Sequence, residues 1–163
     1  MGDHTEAFSV DFDPTALSYE DLLSIFWSGH RATTNHHSSQ YMNAVFYRND
    51  AQKALAESTR DAAAAELGID PEKVATHLLP IGDFTYAEEY HQKYYLTQRP
   101  EIRDFLSSVY PEGKQLADST AATLLNAYLG TGMAKNWSAF ADALPTFGLP
   151  ESLEKRIRQA VIS

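Results

Sequence analysis

Apolar residues keep two periods along this chain. Over residues 7–12 (A-F-S-V-D-F) they alternate, putting Phe8, Val10 and Phe12 on one face, and Asp13-Pro14 stops the run as it would a strand. Beyond it the period lengthens. Ser18, with Asp21 three residues later in a weaker version of the capping box, opens a predicted helix carrying Leu22, Leu23, Ile25, Phe26 and Trp27, which Gly29 ends. A polar loop over residues 31–40 leads to a second, largely buried strand at 42–47 (M-N-A-V-F-Y). The Ala-rich residues 50–67 predict a helix stopped by Gly68, Asp70-Pro71 a turn, 74–80 a third strand, and 87–97 another helix.

From Pro100 the pattern is helical throughout, with helices expected over 101–109, 119–129, 137–144 and 151–162. Pro111, Gly113, Gly130, Gly132, Pro145, Gly148 and Pro150 punctuate them. The organisation expected is an α/β part at residues 1–97 and a helical C-terminal extension at residues 98–163, without internal repeats.

Composition narrows the chemistry more than the fold. Thirteen Lys and Arg against 22 Asp and Glu give a net charge of -9, which disfavours nucleic acid as a partner. The chain has no cysteine, so it forms no disulfide, carries no thiolate nucleophile and offers no Cys-based metal site. The first residues show neither a basic nor an apolar leader pattern, and no stretch approaches the ~20 apolar residues of a membrane span. These features lead us to expect no membrane partner and a cytoplasmic location.

Candidate polar clusters have plain readings beside sharp ones. His30, His36 and His37 sit in or beside one loop, but adjacent histidines point apart and no carboxylate lies within residues 31–40, so we expect polar loop residues and no metal. Glu88 and His91 share a helical face at i,i+3, a spacing that serves acid–base chemistry and also occurs on solvated helices. Tyr86, Tyr90 and Tyr94 repeat every four residues, as one buried helix stripe would.

Four segments, in order, resemble the peptide methionine sulfoxide reductases of the A type. They are Asp3-His4-Thr5-Glu6-Ala7 followed by Phe12-Asp13-Pro14; Ser18-Tyr19-Glu20-Asp21-Leu22-Leu23 with Ile25-Phe26-Trp27 and His30; Gln40-Tyr41 before Ala44-Val45-Phe46-Tyr47; and Phe84-Thr85-Tyr86-Ala87-Glu88-Glu89-Tyr90-His91-Gln92 with Tyr94-Tyr95. The resemblance covers roughly positions 2 to 96. It implies an α/β (α+β) two-layer sandwich, shortened at its N-terminus, with the helical extension appended. In that family the thiolate of a Gly-Cys-Phe-Trp motif attacks the sulfoxide sulfur, a glutamate protonates the departing oxygen, and tyrosine hydroxyls hold it. Thioredoxin or another thiol is the reductant, and no further cofactor is used.

By position, Glu6 resembles the acid and Tyr41 one of the oxygen-binding tyrosines, while Glu89 and His91 fall where they would support the pocket. The nucleophile motif, a resolving cysteine and the aspartate of the loop before Gln40-Tyr41 have no counterpart here. The resemblance therefore implies reduction of methionine S-sulfoxide in proteins as the family activity. For this chain it implies no thiol-dependent turnover alone and no role for thioredoxin. The alternative is a non-catalytic module that binds oxidised methionine or a protein partner. A third reading is that the sheet, short of a central strand, folds only with help from a partner or from the helical tail.

Overall fold

The computed structural model describes residues 4–34, 36, 38–130 and 137–162. They form two compact units, Met1–Phe84 and Thr85–Ser163.

In the first unit, helix α1 (Tyr19–Ser28) begins where the sequence places it. The Ser18 hydroxyl accepts from the Asp21 amide at 3.1 Å, and the Asp21 carboxylate accepts from the Ser18 amide at 3.0 Å. Two otherwise unpaired amides of the first turn are thereby satisfied. Gly29 closes the helix by donating to the carbonyls of Ile25 and Phe26, each at 3.1 Å. Strand β1 (Ala44–Tyr47), helix α2 (Asp50–Glu66) and strand β2 (His77–Pro80) follow as a β-α-β unit, with β1 and β2 parallel in the register Ala44↔His77 to Tyr47↔Pro80. Parallel strands need a crossover of this length. The Asn49 side chain caps α2 by accepting from the Gln52 amide at 2.9 Å, and Gly68, at a φ of 66°, takes the left-handed turn after it that a side chain would strain.

Small side chains at the buried positions of α2, Ala56 and Ala64, let the helix approach α1 and both strands closely. The Trp27 indole donates to the Thr59 hydroxyl at 3.0 Å and ties α1 to α2. His30 ties α1 to the approach to β2: Nδ1 lies 2.8 Å from the Phe26 carbonyl and Nε2 2.8 Å from the hydroxyl of buried Thr76. A carbonyl only accepts, so Nδ1 carries a proton, and His30 is a structural histidine.

Three expectations for this unit are corrected. Residues 7–12 stay outside any sheet, and Phe8 and Val10 are 85% and 48% exposed. Alternation specifies which face a strand would bury, but pairing needs a neighbour, and the sheet among the described residues consists of β1 and β2 alone. The third strand begins at His77 rather than Val74, because Asp70 caps a 3₁₀ turn at Pro71–Lys73 and the Ala75 amide is taken by the Ala32 carbonyl at 2.8 Å. The strand expected to be largely buried is half-buried.

The second unit is helical: α3 (Tyr94–Thr97), α4 (Pro100–Ser107), α5 (Gly113–Asp118), α6 (Thr120–Gly130), α7 (Trp137–Ala143) and α8 (Glu151–Ile162). Leu96, Ile102, Leu106, Leu125, Phe140, Leu144 and Ile157 are each below 2% exposed and form one core. Phe140 meets Tyr128 edge-on at 5.4 Å between ring centroids. The helix expected over residues 87–97 is broken. A 3₁₀ turn at Glu89–His91 is separated from α3 by Lys93, whose φ of 50° no continuous right-handed helix accommodates. With the 3.6 period gone, the tyrosine stripe is not buried: Tyr86, Tyr90 and Tyr94 are 53%, 64% and 55% exposed.

Among the described residues no helix is long and apolar enough to cross a membrane. The mixed helix-rich architecture with a small parallel sheet is α+β.

Candidate functional site

Backbone pairing brings Glu6 onto the turn that ends at Tyr41. The 3₁₀ turn Ser39–Tyr41 is set by Ser38, whose hydroxyl accepts from the Gln40 amide at 3.2 Å. Against it lies the extended N-terminal segment: the Glu6 amide donates to the Gln40 carbonyl at 2.9 Å, and the Thr5 hydroxyl donates to the Ser39 carbonyl at 3.0 Å. Gln40 closes the loop of contacts by donating its side-chain amide to Glu6 Oε1 at 2.8 Å. Thus Glu6 is held at two points by the residue that precedes Tyr41.

Both candidate groups face solvent. Tyr41 is 57% exposed and Glu6 is exposed, so the described residues do not enclose either. A carboxyl that donates a proton to a departing oxygen works best in an apolar enclosure, and a phenol that grips an oxygen works best with its other face packed. The arrangement sets Glu6 against the residue before Tyr41, with the second Glu6 oxygen and the Tyr41 hydroxyl free of hydrogen bonds to the described residues.

Glu89 and His91 belong to the helical unit and do not act as a pair. Glu89 packs its carboxylate against Gly113, where a Cβ would come within 2.6 Å of Oε1. His91 lies 4.0 Å from the carboxylate of Glu88, with both side chains more than half exposed, and its ring lies 4.2 Å from that of Tyr90. An exposed pair at that distance contributes little. His37 falls outside the described residues; among the described ones no three His, Asp or Glu converge as a metal set would.

Three residues escaped sequence reasoning. Gln40 served only as a motif landmark, since its bond to Glu6 joins residues 34 apart in the chain. Lys93 gave no signal, since nothing local marks a lysine for the left-handed region. Tyr19 buries its hydroxyl without a hydrogen-bond partner, and burial pushes that phenol up from its ordinary value.

With this geometry in place, comparison with known proteins decides the family. Residues 1–123 match the family model for peptide methionine sulfoxide reductase. The chain belongs to that family. A peptide methionine sulfoxide reductase of Drosophila melanogaster is 35% identical over 146 residues, covering 88% of this chain and 57% of the fly protein. The MsrA of Methanosarcina acetivorans is 34% identical over 111 residues, covering 65% of this chain and 56% of its own. A peptide methionine sulfoxide reductase of Solanum lycopersicum is 42% identical over 97 residues, covering 56% and 48%. The chain spans about half the length of these curated relatives. Because the fly match covers 88% of the chain, it reaches well into the helical unit, which is therefore shared with at least one reductase.

Proposed function

We propose that these residues carry the sulfoxide-recognising corner of a peptide methionine sulfoxide reductase, with Glu6 as the acid and Tyr41 as the oxygen-binding hydroxyl, and do not turn over with thiols alone. The observation that carries the reading is the cysteine count: a member of this family with none. Reduction of a sulfoxide takes two electrons, which a thiolate supplies by bonding to the substrate sulfur. The oxygen leaves as the thiol becomes a sulfenic acid, and a second thiol restores it. With no sulfur nucleophile, protonation by Glu6 has no electron pair to accompany it. A thioredoxin-type reductant likewise has no oxidised group on this chain to reduce.

An assay of the purified chain with dithiothreitol and a peptide containing methionine S-sulfoxide tests this. The expected result is no methionine above the no-protein control; robust reduction would overturn it. A second reading, a non-catalytic module that binds oxidised methionine, is favoured by the retained Glu6–Gln40 contact beside Tyr41. Calorimetric titration with the same peptide should then give saturable heat that falls in Glu6→Gln and Tyr41→Phe. No heat at millimolar peptide would remove this second reading and leave the first standing.

A further inference from the structure

The helical unit contains a cleft of about 580 Å³, within the usual size of a small-ligand pocket. Leu96, 1% exposed, and Ala117, 7% exposed, contribute to its apolar lining together with Leu116, while Lys93, Arg103 and Tyr110 contribute polar groups. Lys93 is unusual in three ways that meet at this place. It is the one non-glycine residue among those described with a positive φ, at 50°. Its side chain is half-buried, yet its ammonium makes no ion pair or hydrogen bond among the described residues. Desolvation pulls its proton affinity down, opposed by the charge of Asp118.

A left-handed lysine costs backbone energy, and a half-desolvated ammonium without a hydrogen-bonded ion pair costs more. Both costs are offset if an anion occupies the cleft. Arg103 lines the same cleft and gives its Nε hydrogen and one Nη2 hydrogen to Asp104, at 3.0 and 2.8 Å, which leaves Nη1 and the second Nη2 hydrogen. Glu89 on the lining and Asp118 near Lys93 limit how much negative charge the site accepts. One charge fits; a phosphate dianion would meet two carboxylates.

We propose that this cleft binds a monocarboxylate with a small apolar body, the carboxylate on Lys93 and Arg103 and the body on Leu96, Leu116 and Ala117. The site is separate from Glu6 and Tyr41 and does not rest on the function proposed for them. A free organic acid and the C-terminal carboxylate of a peptide share this chemistry.

The test is amide chemical-shift titration of the full chain with N-acetyl-leucine, N-acetyl-leucinamide, acetyl-Ala-Ala-Leu and inorganic phosphate. N-acetyl-leucine should shift Lys93, Leu96 and Ala117 saturably, and the amide should bind about tenfold more weakly or worse, as loss of a charge-assisted contact implies. Tighter binding of acetyl-Ala-Ala-Leu than of N-acetyl-leucine would assign the source to a peptide C-terminus, and weaker binding to a free acid. Lys93→Gln should weaken binding of the acid to the level of the amide, with far-UV circular dichroism unchanged. Equal shifts from acid and amide, tighter binding of phosphate, or no saturation at millimolar ligand would each overturn the proposal. The acid–amide comparison uses the unaltered protein, so it decides even if Lys93→Gln does not fold.

Discussion

The two compact units hold themselves together by different means. In the helical unit, large side chains from α3, α4, α6, α7 and α8 close on one another until seven of them are essentially free of solvent. In the α/β unit the fully covered positions are small, chiefly Ala32, Ala56 and Ala64 with Leu23, while Phe8, Ile25 and Tyr41 stand 85%, 61% and 57% exposed. The family match, residues 1–123, covers the α/β unit and part of the packed core as well, including Leu96, Ile102 and Leu106. Apolar burial dominates folding energy, so the α/β unit relies more on directed contacts: the Ser18–Asp21 capping box, the Trp27–Thr59 bond and the His30 bridge.

This contrast can be broken or sharpened by measurement. Its largest consequence is for Phe140→Ala, which should cost about 3–5 kcal/mol, against about 2–3 kcal/mol for Leu23→Ala. Native-state hydrogen exchange should show protection lost first in α4, α6 and α8 for the former, and in α1 and α2 for the latter. Equal losses throughout would erase the distinction between the units.

Next in size is Gly130→Ala, where the new Cβ would lie 2.2 Å from Cδ2 of the Tyr95 ring. Displacing a ring is harder than bending a flexible chain, so about 1–3 kcal/mol should be lost in chemical denaturation. Gly113→Ala meets only the end of Glu89 and should be nearly silent.

A smaller effect of opposite sign is expected at Tyr19. Its hydroxyl is buried unpaired, so Tyr19→Phe should stabilise the α/β unit by about 1 kcal/mol in urea unfolding. A loss instead would mean that the hydroxyl has a partner and that this unit is better satisfied than its buried surface suggests.

The smallest effect concerns pH. Hydrogen bonds from the Ser18 hydroxyl and amide hold Asp21 below the ordinary aspartate value. A depressed carboxylate adds stability above its unfolded value, about 3.9, and that contribution is lost as pH falls through the lower folded value. Ser18→Ala should cost about 1 kcal/mol at neutral pH. The penalty should shrink in denaturation curves recorded progressively below about pH 4, and a penalty independent of pH would show that Asp21 is not the partner that matters.

Much of the local structure was legible because its causes are local. Ser18 with Asp21, Gly29, Asn49 and Gly68 start and stop helices through bonds within a few residues, and the sequence places α1 and α2 almost as they stand. The site was legible only in part. Glu6 and Tyr41 could be picked out by motif, but the bonds that hold Glu6 to Gln40, the residue before Tyr41, cross a sequence gap that no pattern of spacing encodes. Glu88 and His91 were expected on one face of a helix, and the structure gives only a 3₁₀ turn at Glu89–His91, with the two side chains 4.0 Å apart and more than half exposed.

What the sequence by itself determined is the family and one compositional fact: four ordered segments point to the sulfoxide reductases, and these 163 residues include no cysteine. It also determined α1 and α2, whose ends are capped nearby. Tertiary structure decided the rest, because pairing and burial are properties of neighbours. Residues 7–12 alternate as a strand does and remain unpaired, since alternation names a face and not a partner. The tyrosines of residues 86–94 repeat as a helix does and remain exposed, since only a 3₁₀ turn forms at Glu89–His91 and the left-handed Lys93 follows it, so no helix spans them to set the period.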